Sequence, residues 1–99
     1  MSTLLFEITK GRRPDGTVRA FARMTGTLDA GNLAHFRKIV SRLTRNDVRD
    51  LVLDLSGVTR VDLKGLGAIQ ETEELFETLG GSLRVTGTEL DDTRGFPED

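Results

Sequence analysis

A short apolar run in the middle of the chain restricts the possible folds more than any other feature. The segment from Val48 to Leu55 contains three consecutive apolar residues, Leu51, Val52 and Leu53. Such a run is typical of a strand that is buried on both faces at the centre of a sheet. Segments with helical periodicity lie on either side of it. We therefore expect a central strand that is joined to parallel neighbours by right-handed helical crossovers.

The first 25 residues show the two-residue period of half-buried strands. Leu4–Thr9 alternates between two sets of side chains, and the alternation resumes over Thr17–Thr25. Between these segments, Lys10–Gly16 contains a proline that favours a turn and a glycine that tolerates positive φ. The pattern predicts two antiparallel strands that are joined by a hairpin loop.

Two later segments show helical periodicity. The first has apolar residues at three- and four-residue steps, and either Thr27 or Asp29 is expected to cap its start. The second begins at Asp62 and ends at the Gly80–Gly81 pair. Its predicted apolar face consists of Gly65, Ala68, Ile69, Thr72, Leu75, Phe76 and Leu79, and that of the first helix of Leu33, Phe36, Ile39, Val40 and Leu43.

These elements predict an α/β fold with the order β-β-α-β-α-β. Gly57 to Arg60 is expected to be a loop before the second helix, and Ser82 to Thr86 the last strand. The sheet should be mixed, with the helices mainly on one face. The 99 residues are expected to form a single domain, 1–99, whose core covers about residues 4–88. The acidic tail 89–99 is expected to form one helical turn at most.

Composition excludes several kinds of site. The chain has no Cys, Trp or Tyr and only one His. Disulfides, thiol nucleophiles and thiolate metal sites are therefore absent, and no metal or other cofactor is expected. No apolar run approaches the 18 residues of a membrane span, and the amino terminus does not resemble a signal peptide. We expect a cytoplasmic protein, which would meet a membrane only indirectly through a transporter complex.

The charge pattern argues against direct binding to nucleic acid. The net charge is −2 and the pI is about 5.4, whereas nucleic-acid-binding domains are usually basic. Nucleic acid would have to use Arg12, Arg13, Arg19 and Arg23 on the opening hairpin, where Arg19 and Arg23 form a basic stripe with Phe21 between them. This stripe is equally suited to an acidic protein surface.

No catalytic arrangement is evident in the sequence, and we expect no enzyme activity. His35 is the only imidazole and is expected to face solvent, with no nucleophile elbow in the chain. Asp54 and Asp62 flank the predicted strand-to-helix loop and could meet in space, but capping and loop hydrogen bonds account for both. Gly65 and Gly67 lack the further residues of a dinucleotide-binding or P-loop motif.

The segment from Leu51 to Ile69 resembles the signature of STAS domains, the family of sulfate transporters and anti-sigma factor antagonists. It contains a hydrophobic strand that ends in Asp-Leu-Ser, a turn with Asp62, and a helix that opens with Leu66-Gly67. Thr25–Ala30 resembles the family's Gly-x-Leu-Asp motif before its first helix. The resemblance implies the STAS fold and a C-terminal helix, which would be short or absent here. A sheet face left partly uncovered would allow a homodimer.

One position departs from the phosphorylatable members of this family. In those members the residue after the turn Asp is a Ser or Thr that a partner kinase phosphorylates, but here Leu63 occupies that position and Lys64 follows. Neither side chain has a hydroxyl, so phosphorylation at the usual site is chemically excluded. Ser56 and Thr59 are the nearby hydroxyls and the alternative candidates. Leu63 itself could pack under the turn or project as an interface anchor.

The resemblance implies a non-catalytic interaction module that binds a kinase-like anti-sigma factor and so regulates transcription in bacterial signalling. The residues expected to contact the partner are Asp29, Thr59, Arg60, Asp62, Leu63, Lys64, Gly65 and Leu66. The first alternative is an accessory STAS subunit of a phospholipid-transporting ABC complex, which the run Val58–Asp62 also resembles. The second is a small nucleotide-binding or hydrolytic domain that uses Asp29 and Asp62.

Overall fold

The computed structural model describes residues 3–87, which form a mixed four-stranded sheet with two helices. The order β-β-α-β-α-β is confirmed, whereas the predicted tail at 89–99 lies outside the described residues. The elements are β1 (Leu4–Arg12), β2 (Val18–Leu28), α1 (Leu33–Arg45), β3 (Val48–Val61), α2 (Leu63–Thr78) and β4 (Ser82–Thr86).

The strands lie in the order β1-β2-β3-β4, so the apolar run of β3 lies inside the sheet as predicted. β1 is antiparallel to β2, and β2, β3 and β4 are mutually parallel. Parallel neighbours need a crossover, which α1 and α2 provide. The carboxyl ends of β2 and β3 therefore lie side by side at one end of the strands. The β1–β2 hairpin loop lies at the opposite end.

Both helices cover the same face of the sheet, as predicted. Alternate strand residues such as Ala22, Met24 and Leu53 are at most 1% exposed there, and they pack with Phe36 from α1 and Phe76 from α2. Because side chains alternate along a strand, the remaining residues define a second face, here called the open face. The open face carries Leu5, Glu7, Thr9, Arg19, Phe21, Arg23, Asp50, Val52, Asp54 and Arg84.

The expected loop from Gly57 to Arg60 is wrong, because β3 continues through these residues to Val61. The partner strand β2 itself runs beyond Thr25 to Leu28 and continues to pair with β3. The register shifts twice on the way, once after Arg23 and once after Gly26, where β3 carries an extra residue. Such bulges abolish the two-residue alternation, so the sequence pattern did not show a strand.

The hairpin loop is also shorter than predicted. Lys10 pairs with Ala20 and Arg12 with Val18, which leaves only residues 13–17 as the connection. The Asp15 side chain accepts hydrogen bonds from the backbone N–H and the hydroxyl of Thr17, at 3.0 and 2.7 Å. This local bonding closes the turn and allows both strands to extend.

The predicted capping of α1 by Thr27 or Asp29 is wrong as well. The helix begins at Leu33 with Asn32 in the N-cap position, and the Asn32 side chain makes no capping hydrogen bond. The apolar stripe of the helix is confirmed, since Phe36, Val40 and Leu43 are buried. The helix is therefore held by its buried face rather than by a side-chain cap.

Candidate functional site

The residues that the sequence singled out lie together where β2 and β3 end. The backbone N–H of Asp62 donates to the carbonyl of Leu28 at 3.1 Å, which joins the two strand ends. Arg60 lies opposite Thr27 in the same ladder. We call this region the turn surface, and it consists of Asp29, Thr59, Arg60, Asp62, Leu63, Lys64, Gly65 and Leu66.

Asp62 fixes the start of α2, as predicted. Its Oδ1 accepts a hydrogen bond from the backbone N–H of Gly65 at 2.8 Å, which is an N-cap bond. Its Oδ2 accepts one from the N–H of Ala30 at 3.3 Å, in the loop before α1. One carboxylate therefore caps α2 and ties it to the neighbouring connection. A negative charge is also favourable beside the positive end of a helix dipole.

Gly65 allows the first turn of α2 to approach β2 closely. A Cβ at this position would lie 2.6 Å from the carbonyl oxygen of Leu28 and 3.0 Å from side-chain atoms of Leu28 and Val61. A Cβ at Gly67, two residues later, would meet nothing within 4 Å. The close approach seats α2 against the sheet, so glycine is needed at 65 and not at 67.

Leu63 and Lys64 project from this fixed helix start. Leu63 is 83% exposed and is the most exposed large apolar side chain among residues 3–87. The alternative in which it packs under the turn is therefore wrong. Lys64 and Arg60 are exposed as well, so an exposed leucine lies in a neighbourhood with two cations. Two members of the turn surface are less accessible, since Gly65 is buried and Leu66 is half-buried.

Asp29 belongs to the loop before α1 and takes part in its internal bonding. Its Oδ1 accepts from the N–H of Gly31 at 2.9 Å, and its own N–H donates to Oδ1 of Asn32 at 3.0 Å. The Asn32 amide in turn donates to the carbonyl of Thr27 at 2.8 Å. The sequence interpretation missed Asn32, which is 8% exposed. Its position directly before the first apolar residue of the helix was the available signal.

The two candidate hydroxyls have different environments. The Thr59 hydroxyl donates to the carbonyl of Gly26 at 3.2 Å, at one of the bulges in β3. The backbone N–H of Ser56 donates to Oδ1 of Asp54 at 2.9 Å. This bond, with a smaller contribution from Arg23, holds the pKa of Asp54 below its usual value. A phosphate on Ser56 would therefore lie near a carboxylate that stays charged, which is unfavourable.

Within the described part of the chain, Asp54 and Asp62 do not lie together, and the acidic residues form no metal-binding cluster. Asp62 lies eight residues after Asp54 along the extended strand, on the order of 25 Å at about 3.3 Å per residue. Their predicted proximity is wrong. Among residues 3–87 no group of three His, Asp or Glu side chains could hold a metal ion. His35 is exposed, as expected, and its ring lies edge-on to Phe6.

Comparison with solved structures gives the same fold. An anti-sigma factor antagonist STAS domain from Rhodobacter sphaeroides matches with a TM-score of 0.62 and 23% identity, over 84% of this chain and 87% of that one. The anti-sigma factor antagonist SpoIIAA in its unphosphorylated form matches with a TM-score of 0.69 and 16% identity, over 94% and 84%. At these identities the likeness shows the fold.

A third structure, Mglu, matches at 26% identity with a TM-score of 0.65. The match covers 82% of this chain but only 19% of Mglu, so the fold recurs there as part of a much longer protein. A search of curated proteins finds no match. None of the helices described in residues 3–87 is long and apolar enough to cross a membrane.

The family profile of the STAS domain matches residues 12–94. This range includes the central strand, the turn with Asp62 and both helices, which are the elements that build the turn surface. The chain therefore belongs to the STAS domain family.

Proposed function

We propose that this STAS domain is a non-catalytic, cytoplasmic module that binds a kinase-like anti-sigma factor through the turn surface and so regulates transcription. The structural likeness to anti-sigma factor antagonists supports the class of partner. The arrangement of Asp29, Thr59, Arg60 and Asp62 to Leu66 at one edge of the sheet supports the place of contact. No cofactor takes part in this proposal.

The exposure of Leu63 is the observation that carries the proposal. Burial of a leucine side chain stabilises by about 1.5–3 kcal/mol, so a leucine that is 83% exposed forgoes this gain in the isolated domain. Asp62 and Gly65 fix the backbone on which Leu63 stands. A partner that covers Leu63 therefore loses little binding free energy to ordering this part of the backbone. The turn surface carries two cations, Arg60 and Lys64, and two carboxylates, Asp29 and Asp62, which would orient a partner with the complementary arrangement of charges.

Phosphorylation would not switch this interaction off at the usual position. Leu63 stands where phosphorylatable members of the family have Ser or Thr, and it has no acceptor oxygen. Thr59 uses its hydroxyl within the sheet, and Ser56 lies beside Asp54. We therefore propose a module whose activity is set by its abundance, or by its partner, rather than by phosphate at position 63.

The contact is tested by isothermal titration of the full chain with the cognate anti-sigma kinase. Leu63→Glu should weaken binding at least about tenfold, because a charge replaces the apolar contact. Leu79→Glu is the matched control, since Leu79 is 37% exposed at the opposite end of α2. Thermal melting checks that both variants fold. Equal affinities for Leu63→Glu and the parent would refute the placement of the contact.

The absence of a phosphate switch is tested by mass spectrometry after incubation with the same kinase and ATP. The expected result is no stoichiometric phosphate on any residue. Stoichiometric phosphate on Ser56 or Thr59 would contradict the proposal. Reduced binding of that product would identify the switch.

Co-purification separates the proposed partner from the main alternative. A soluble ATP-binding protein would support the anti-sigma reading, and a membrane ATPase complex would support a transporter subunit instead. Nucleotide binding by Asp29 and Asp62 is disfavoured, because both carboxylates accept backbone N–H groups. ATP, GTP and Mg²⁺ should therefore produce no thermal stabilisation, whereas a ligand at 100 times its Kd would give about 2.7 kcal/mol.

A further inference from the structure

The strand β1 lies at one edge of the sheet and has a partner strand on one side only. Its neighbour is β2, and no other strand within residues 3–87 pairs with its outer side. Monomeric proteins usually protect such edges with short strands, bulges, prolines or charges. β4, at the other edge, has only five residues, whereas β1 has nine and pairs with β2 in an unbroken register. β1 is therefore a long and regular edge to which another strand can be added.

Hydrogen bonds at the two ends of β1 show which of its backbone groups point outward. The carbonyl of Thr3 accepts from the N–H of Thr27 at 2.9 Å. At the other end, the N–H of Arg13 donates to the carbonyl of Thr17 at 2.8 Å. Positions bonded to one neighbour alternate along an antiparallel strand, so the odd-numbered residues bond to β2. The even-numbered residues direct their N–H and C=O groups outward, and they are Leu4, Phe6, Ile8, Lys10 and Arg12.

An apolar side chain is exposed among these outward-pointing groups. Every residue from Glu7 to Arg12 is exposed, and Ile8 is 39% exposed. Phe6, on the same face of the strand, contacts His35 and Phe36 of α1. A strand added beside β1 would therefore satisfy the free backbone groups and cover Ile8 at the same time.

We infer that two copies of the chain pair β1 with β1, antiparallel, about a two-fold axis at Ile8. The two four-stranded sheets would then join into one. Each outward-pointing residue contributes one donor and one acceptor, so about ten backbone hydrogen bonds would form, as many as in a typical specific interface. The facing pairs across the two copies are Ile8 with Ile8, Phe6 with Lys10, and Leu4 with Arg12.

Like charges do not face each other in this register. Lys10 lies opposite Phe6 of the second copy, where an ammonium group beside an aromatic ring is favourable. On the other face of the strand, Glu7 lies opposite Thr9 of the second copy. The two Glu7 side chains are diagonal neighbours, and each has Arg23 beside it on β2. The charges of β1 are therefore compatible with self-pairing.

Neighbouring registers fit less well. An axis at Glu7 would set two glutamates opposite each other, and an axis at Lys10 would do the same with two lysines, which is destabilising. An axis at Thr9 would place Ile8 opposite Lys10 and leave Leu4 without a partner. Only the axis at Ile8 pairs the whole strand from Leu4 to Arg12 and brings the two exposed isoleucines together.

Sedimentation equilibrium of the full chain, without any other protein, tests the dimer. The dimer fraction should rise with protein concentration. Ile8→Pro should weaken dimerisation at least about tenfold, because it removes an outward N–H and no bond to β2. Ile8→Lys keeps the backbone and should have a similar effect, since two cations would then face each other. Leu75→Lys is the matched control, because Leu75 is also 39% exposed but lies on α2. Thermal melting checks that all variants fold.

Single cysteines test the register, because the chain contains no cysteine of its own. Ile8→Cys should form a disulfide-linked dimer under mild oxidation, since facing Cα atoms on a bonded pair lie about 5.5 Å apart. Thr9→Cys and Lys10→Cys are equally accessible controls and should cross-link at least about fivefold more slowly, because each would lie away from its own counterpart. Electrophoresis without reducing agent measures the rates. Faster cross-linking at position 9 or 10 would overturn the register and the proposal.

Other results would also overturn it. One is a chain that stays monomeric up to about 1 mM, as would happen if another segment of the chain covered β1. Another is a dimer that both Ile8 variants leave at full strength. Leu63 takes no part in the pairing, so Leu63→Glu should leave the dimer unchanged, and its loss in that variant would place the contact at the turn surface instead. Dimerisation and binding of the proposed partner therefore succeed or fail separately.

Discussion

The two connections that lead from strand to helix differ in how they fix the helix start. Between β2 and α1 the chain makes a four-residue loop, in which the Asn32 side chain bonds to Asp29 and Thr27 and leaves its own helix uncapped. Between β3 and α2 a single residue, Asp62, caps the helix and reaches across to Ala30. The β2–α1 connection is therefore stabilised by hydrogen bonds within its own loop. The β3–α2 connection is instead hydrogen-bonded to the loop before α1.

This difference explains why an exposed residue can stand at a fixed position on α2. The cap of Asp62 and the close approach of Gly65 to Leu28 hold the first turn in place. Leu63 contributes nothing to that support, since it is 83% exposed. The positions that build the site and the position that faces outward are therefore separate residues, and their substitution should have separate effects.

The largest effect is expected at Gly65. Gly65→Ala should lower the free energy of unfolding by about 2–3 kcal/mol, because its Cβ would overlap the carbonyl of Leu28. Gly67→Ala is the matched control on the same helix and should raise it by about 0.5–1 kcal/mol, since no atom lies within 4 Å. Urea denaturation measures both. Equal changes in unfolding free energy for the two variants would show that the close approach of Gly65 to Leu28 does not stabilise the protein.

A smaller loss is expected for Asn32→Ala, about 2 kcal/mol. This side chain is nearly buried, and its removal leaves the carbonyl of Thr27 and the N–H of Asp29 without their bonds to it. Asn46→Ala, in the exposed C-cap position of the same helix, should cost less than about 1 kcal/mol. Urea denaturation of the two variants makes the comparison, and a larger loss for Asn46→Ala would contradict it.

Asp62→Ala should cost about 1 kcal/mol, which is typical for the loss of an N-cap. Asp62→Asn should cost less than half of that, because its amide oxygen can still accept from Gly65. Thermal or urea denaturation at neutral pH distinguishes them. A larger loss of unfolding free energy for Asp62→Ala than for Asn32→Ala would contradict this order. It would show that the β3–α2 connection contributes more to stability than the β2–α1 connection.

The smallest effect on stability is expected for Leu63→Ser, within about 0.5 kcal/mol of the parent protein. The same variant should still lose affinity for the proposed partner, a kinase-like anti-sigma factor. Chemical denaturation and titration on one preparation check the two statements together. A loss of stability above 1 kcal/mol would show that Leu63 belongs to the support of the turn after all.

Much of the fold could be predicted from the sequence, because periodicity reports which side of an element is buried. The element order and the stripe of α1 follow from it. The continuation of β3 through Gly57–Arg60 could not be predicted, since bulges opposite β2 remove the alternation. The cap of α2 was recognised at Asp62, whereas Asn32 was missed because its bonds run backward into the loop.

The sequence by itself determined the succession of strands and helices, the family, and the lack of a hydroxyl at position 63. These properties depend on neighbours along the chain and on the identity of single side chains. Only the tertiary structure decided that Leu63 projects and that Gly65 lies against Leu28. Exposure and close approach depend on which distant residues share a surface, and that is set by how the strands and helices pack.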